Sequence, residues 1–215
     1  MAADLKFPYV ALEGPIGVGK TTLAKVLAKR LGATLLLEDL QNPFLPDFYQ
    51  GRKGAAFQCQ LFFLLTRYQQ QQQLVQRSLF DTKIVADYIP LKDKIFAHLN
   101  LNDSELVIYE KMHAILLEGV PKPDAVIYLQ ATTDTLIKRI RSRSRDYEKR
   151  ISDEYIDELN KAYNFFFFRY QETPLLIVNT NDVDFERGTG ELDHLIGQVN
   201  RLERGVLLYA PLGSA

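Results

Sequence analysis

Short, almost wholly apolar segments alternate along the chain with longer segments whose apolar residues recur every three to four positions. The first pattern reads as strand and the second as helix. Strands are predicted over Phe7–Glu13, Leu35–Leu37, Lys83–Asp87, Asp124–Leu129 and Pro174–Val178. Helices are predicted over Gly19–Leu31, Ala55 to about Leu79, Leu91–Leu117, Thr132 to about Arg145, Ser152–Gln171 and Gly190–Leu202. Gly32 follows the first helix at the position where a left-handed residue ends it, and Pro121 and Pro123 break the chain before the fourth strand. Strands with no polar face, separated by helices, predict an α/β fold, a five-stranded parallel sheet covered on both faces. Two runs depart from the rhythm. Gln69–Gln73 reads as a solvated helix face, and Phe165–Phe168, which cannot share one helix face, reads as core.

The length, 215 residues, favours a single domain over 1–215 with a small lid. With 26 Lys+Arg against 27 Asp+Glu, the chain has no basic field with which to hold a nucleic-acid backbone. Its apolar runs reach about 6–8 residues, far short of the roughly 20 a membrane helix needs, and no signal peptide is expected. Cys59 is the only cysteine, which excludes an intramolecular disulfide and any multi-cysteine zinc site. A reduced, cytoplasmic setting is the expectation. His98, His113 and His194 lack metal-ligand spacing and read as structural or surface residues.

The segment from Gly14 through Pro15, Ile16, Gly17, Val18, Gly19 and Lys20 to Thr21 fits G-x-x-x-x-G-K-[ST], between a predicted strand and a predicted helix, with Thr22 next. The glycines let backbone N–H groups wrap a polyphosphate at a helix N-terminus. Lys20 is then aimed at the outer phosphates, and the Thr21 hydroxyl at Mg²⁺. Three further features narrow the reading, two of them acids beyond strands' carboxyl ends, where ligands sit in such sheets. Glu38-Asp39 follows the second strand and offers a carboxylate to accept a hydroxyl proton. Asp87 ends the third strand, as a magnesium-orienting acid does. Lys138, Arg139, Arg141, Arg143 and Arg145, with Glu148-Lys149-Arg150 beyond, read as an arginine-rich lid over about 139–150 that stabilises charge on a transferring phosphoryl group.

Taken in order, these motifs resemble the deoxynucleoside kinase family, and most closely its bacterial deoxyguanosine/deoxyadenosine kinase branch, over about Phe7 to Leu202. The resemblance rests on Glu13 through Thr22, Glu38 through Tyr49, Phe57-Gln-Cys-Gln60 leading to Arg67-Tyr68, Ala86-Asp-Tyr88 before Ile95-Phe-Ala97, and Arg139 through Glu148. It implies transfer of the ATP γ-phosphoryl group to the 5′-hydroxyl of a purine 2′-deoxynucleoside, with Mg²⁺ and in a homodimer. Glu38 resembles the general base, Tyr49 and Glu148 the pair holding the sugar 3′-hydroxyl, and Gln60 the amide reading the base edge, with Arg67 and Asp93 beside it. Arg143 and Arg145 resemble lid arginines on the phosphates, and Arg139 the one stacking near the donor adenine. Asp184-Phe185 resembles the loop packing on that adenine. The alternatives are a pyrimidine deoxynucleoside kinase, or a nucleoside-monophosphate kinase on the same fold, which needs a further cation cluster for its acceptor phosphate.

One position departs from the family. Many members carry an arginine after the acid of the third strand, and here Tyr88 follows Asp87. A neutral phenol does not replace a guanidinium's charge and fork of donors. Either Lys92 or a lid arginine supplies that charge, or the charges are placed differently, and Asp87 stays open as an alternative proton acceptor.

Overall fold

In a computed structural model, which describes residues 4–77, 83–143, 148, 151–183, 185 and 189–211, β1 (Tyr9–Glu13) lies at the centre of a parallel sheet. Its five residues are all buried. Val10 and Leu12 enter one core cluster, Tyr9 and Ala11 the other. The two-residue period of a strand sends alternate side chains to opposite faces, so a strand covered on both sides must be apolar throughout. The same rule builds β3 (Ile84–Ala86), β4 (Ala125–Gln130) and β5 (Leu175–Asn179), whereas β2 (Thr34–Leu36), at a sheet edge, is half-buried throughout.

The expectation of five strands is corrected to six: β6 (Val206–Tyr209) pairs in parallel with β5 at the sheet edge, giving the order β2-β3-β1-β4-β5-β6. Val206 and Leu208 of β6 are exposed, which is why the segment lacks the buried-strand pattern of β1, β3, β4 and β5.

On one face, α1 (Lys20–Leu31), α6 (Thr133–Arg143) and α8 (Thr189–Arg201) pack their apolar sides on the sheet. On the other lie α3 (Ala55–Arg77), α4 (Lys92–Asn100) and α7 (Asp153–Phe168), with α5 (Asp103–Leu116) packed outside α3 and α4. The single helix expected over Leu91–Leu117 is two. Leu101 is extended, and the Asn102 side chain accepts from the Glu105 N–H while the Glu105 carboxylate accepts from the Asn102 N–H. This reciprocal cap restarts the helix at an angle the periodicity does not reveal. A short helix, α2 (Leu45–Tyr49), was not expected either. It opens with Pro46 in its first turn, where the missing N–H costs nothing.

Both unusual runs split by helix geometry. Gln70 and Gln71 turn inward to the Tyr88 hydroxyl, while Gln69, Gln72 and Gln73 are exposed, so the glutamine run is only partly a solvated face. Phe167 is fully buried and stacks 4.2 Å from Tyr128, whereas Phe165 and Phe168 are exposed, so only part of the phenylalanine run is core. Among the described residues, no helix is long and apolar enough to cross a membrane.

Candidate active site

The register aligns Ala11 with Ala86, and Ala86 with Leu36. The segments leaving β1, β2 and β3 therefore emerge side by side at the carboxyl edge of the sheet. They carry the glycine-rich loop, Glu38 and Asp87 respectively, and meet at the point where the strand order reverses about β1.

The loop from Gly14 to Gly19 bends tightly onto the sheet. Gly14 has φ 151° and Gly17 φ 86°, in the region open to glycine. A Cβ on Gly14 would lie 2.5 Å from the Leu129 carbonyl oxygen, and one on Gly17 2.7 Å from Ile140 Cγ1. The loop thus needs both conformation and absence of a side chain. Val18 anchors it in the core, while Ile16 and Thr22 face the cavity. Lys20 Nζ donates to the carbonyls of Gly14, at 2.5 Å, and Pro15, at 3.1 Å.

The Thr21 hydroxyl donates to Asp87 Oδ2 at 2.6 Å, and Asp87 Oδ1 accepts from the Glu38 N–H at 2.7 Å. Asp87 therefore joins the phosphate loop to the strand carrying Glu38. Thr21 and Asp87 offer adjacent hard oxygens, the donor set that suits Mg²⁺. Glu38 extends the other way. Its carboxylate accepts from Arg67 of α3 and, at 2.5 Å, from Lys92 Nζ of α4. Burial pushes the Glu38 carboxyl up, but Lys92 and Arg67 outweigh burial and hold it at about 2. Beneath the loop, the wholly buried Glu13 accepts from the Gly14 N–H, and burial raises its carboxyl to about 7 against the pull of Lys92 and Lys20.

A cavity of about 360 Å³ connects these groups. Lys20, Thr21 and Asp87 wall its phosphate end, Glu38 and Lys92 its middle, and Gln60, Arg67, Phe48 and Phe63 its far end, with Tyr49, Arg143 and Glu148 at the side. Arg143 donates to Glu148 through Nε at 3.1 Å and Nη2 at 2.6 Å, a two-point clamp. Tyr49 comes from α2, whose neighbouring Phe48 ring lies 5.0 Å away. Cys59 is buried beside Gln60, with its thiol pushed up to about 12 by burial.

Several expected residues are placed differently. Asp93 is 1% exposed and does not wall the cavity. It sits behind Arg67 and accepts from its guanidinium. Burial raises its carboxyl despite Arg67. Arg139 also lies outside this cavity, donating to Val18 O at 3.3 Å and Thr180 O at 2.6 Å, and so ties α6 to the phosphate loop and the end of β5. Phe185 is buried in the core cluster on the α1 face. Arg145 and Asp184 lie outside the described residues. Phe57, at the start of the motif that carries Gln60, packs in the core cluster between α3 and α5. His98 faces Glu110 at the surface, His113 is buried with its pKa lowered to about 4 by burial, and His194 is exposed.

Phe96 and Tyr163 wall the cavity and Glu13 lies buried beneath the loop, and the sequence assigns none of them a role. Phe96 follows Lys92 by four residues and so shares its helix face, a legible signal. Glu13 stands within the quoted loop motif. Tyr163 of α7 carries no local signal.

A model of the deoxynucleoside kinase family matches residues 10–203. The chain belongs to the deoxynucleoside kinase family. It is 34% identical over 201 residues to the deoxyguanosine kinase of Bacillus subtilis (strain 168), covering 91% of this chain and 97% of that one. It is 36% identical over 170 residues to the deoxyadenosine kinase of Dictyostelium discoideum, covering 76% of this chain and 68% of that one. The solved structure of a deoxyadenosine kinase from M. mycoides with bound dATP superposes with a TM-score of 0.72 at 29% identity, over 88% of this chain and 96% of that one. This deoxynucleoside kinase is thus a P-loop phosphotransferase.

Proposed function

We propose that the protein transfers the γ-phosphoryl group of ATP to the 5′-hydroxyl of a purine 2′-deoxynucleoside, deoxyguanosine ahead of deoxyadenosine. The observation that carries this reading is one continuous cavity. It has phosphate-binding groups at one end, a carboxylate in the middle, and an amide with a guanidinium at the other. Lys20 and the loop N–H groups would hold the donor's outer phosphates, and Thr21 with Asp87 would hold Mg²⁺, which when bound neutralises charge on the transferring group. Glu38, ionised across the working pH range, accepts a hydrogen bond from the 5′-hydroxyl and orients its oxygen towards phosphorus. As the new O–P bond forms and the bond to ADP breaks, the hydroxyl proton passes to Glu38. Arg143 adds charge from the lid over about 139–150.

At the far end, Gln60 both donates and accepts, and so pairs with several base edges. Arg67 only donates, and guanine presents a carbonyl oxygen where adenine presents an amine. Asp93 fixes Arg67 in place rather than meeting the base. Relatives named deoxyguanosine and deoxyadenosine kinases support the purine assignment. Of the cations a monophosphate acceptor would need, Arg52 is exposed and paired with Asp47, and Lys53 is exposed.

The reading extends to a cytoplasmic homodimer. Exposed Leu65 of α3 and Val107, Ile108 and Ile115 of α5 support a face shared between copies. Sedimentation at micromolar concentration checks it, with a monomer alone overturning the dimer. For the base, kcat/KM is measured for the four deoxynucleosides with ATP. Deoxyguanosine should lead. A pyrimidine in first place overturns the purine assignment, and deoxyadenosine in first place overturns the role given to Arg67.

A further inference from the structure

We infer that Lys92 is a positioning residue that holds the Glu38 carboxylate at the acceptor oxygen. It carries, from the first turn of α4, the positive charge that the chain lacks at residue 88. This rests on the proposed phosphoryl transfer and deepens it.

Residue 88 has no route to the cavity. Tyr88 is fully buried, its hydroxyl donates to Gln70 Oε1 at 3.0 Å and accepts from Gln71 Nε2 at 3.2 Å, and it does not wall the site. Lys92 lies four residues on, with its side chain 4% exposed and its Nζ 2.5 Å from Glu38 Oε2 and 5.9 Å from the centre of the Tyr88 ring. The tyrosine forms the wall along which the lysine reaches the cavity.

Stability does not account for a lysine at this place. Burying an ammonium is costly before its partner offsets it. A cation in the first turn of a helix also faces the positive end of the dipole, which is adverse. An apolar residue would pack there without either cost. Glu38, moreover, already has Arg67 as an ion-pair partner. Arg67 is shared with Asp93 and approaches from the base end of the cavity, whereas Lys92 grips the second oxygen of Glu38. Two cations on two oxygens fix the plane of the carboxylate, which one alone leaves free to rotate. The other charged or titratable groups facing this pair are Lys20 of α1, Glu13 of β1, Asp87 beyond β3, Asp93 of α4 and Tyr163 of α7.

The test is a double-mutant cycle on the full chain, with Lys92→Met, Glu38→Gln and both together, plus Lys92→Arg. Lys92→Met should lower kcat by about 10²-fold. ATP affinity should stay within a few-fold, since Lys20 and Thr21 are untouched. Lys92→Arg should recover at least a tenth of the wild-type kcat. In the Glu38→Gln background, Lys92→Met should cost less than about three-fold, because a residue acting through Glu38 loses its effect once Glu38 is neutral. The double variant leaves no buried carboxylate unpaired by the lysine's removal, so it keeps the cycle decisive if Lys92→Met alone folds poorly. Equal losses in both backgrounds, or a wild-type kcat in Lys92→Met, would overturn the inference. Rescue by Lys92→Arg separates a positioning charge from a merely structural side chain, and no recovery in that variant overturns the role of Lys92. Failure of the wild type to phosphorylate any deoxynucleoside overturns the proposed function and with it this inference, whereas a wild-type kcat in Lys92→Met overturns the inference alone.

Discussion

Glu38 and Asp87 are both acids placed just beyond strand ends, yet their partners separate their roles. Asp87 spends both oxygens on Thr21 and on the Glu38 N–H, so it is committed to joining the loop to the segment that carries Glu38. Glu38 faces the middle of the cavity. Glu38→Gln should therefore lower kcat by roughly 10²–10⁴-fold with ATP binding nearly unchanged. Asp87→Asn should instead raise the Mg²⁺ concentration needed for half-maximal rate. Steady-state kinetics across a magnesium series distinguishes the two, and the reverse pattern would make Asp87 the proton acceptor. Glu13 yields a prediction about stability. Its raised carboxyl pKa means the folded chain holds the proton more tightly than the unfolded one, whose value is near 4.3. Its stabilising contribution is complete below that unfolded value and is lost as pH rises through about 7. Urea midpoints at pH 5 and pH 8 should show a smaller loss in Glu13→Gln than in the wild type, and an equal loss would show that Glu13 does not titrate in this range. Glu38, Asp87, Lys20 and Thr21 were legible because each is tied by short spacing to a strand end or to the loop. Asp93 was misread as a base contact because sequence spacing does not show which way a helical side chain turns, and α4 turns it behind Arg67.

At the scale of elements, strong local signals were read correctly and reciprocal ones were missed. Gly32 adopts φ 61° and ends α1 as its position predicted. Asn102 and Glu105 form a complete capping box, spaced as such boxes require, but the apolar periodicity runs on through both and hid the break. Asn102→Ala should lower stability by about 1 kcal/mol, measured as a shift in urea midpoint, with kcat unchanged because the cap lies away from the cavity. A loss of activity without a loss of stability would contradict that separation. β6 was missed for a different reason. One face of β6 is left exposed, and Val206–Tyr209 alternates exposed and half-buried positions over only four residues. Five residues likewise give α2 too little length to show a period, although it brings Phe48 and Tyr49 to the cavity.

The wall of the cavity that carries Tyr49 and Glu148 exists only in the whole molecule. Tyr49 comes from α2 and Glu148 from beyond α6, almost a hundred positions apart, and the clamp from Arg143 holds Glu148 at the wall. If they grip the 3′-hydroxyl, 3′-deoxy analogues should lose roughly 10²-fold or more in kcat/KM, because the hydrogen bonds a site makes to a hydroxyl are lost with it. Equal kcat/KM for the 3′-deoxy and parent compounds would remove Tyr49 and Glu148 from substrate binding. The sequence by itself determined the parallel α/β class, the phosphate loop and the acids beyond the strands. Each depends on neighbours a few residues away, through the two-residue period of a buried strand or the conformational freedom of glycine. Tertiary structure alone decided the partnerships: Arg67 shared between Glu38 and Asp93, Lys92 on Glu38, and Tyr88 sealed beneath α3. The reason is physical. A charge in a low-dielectric interior is governed by whatever group lies within a few ångströms, and packing of separate elements, not order along the chain, sets those distances.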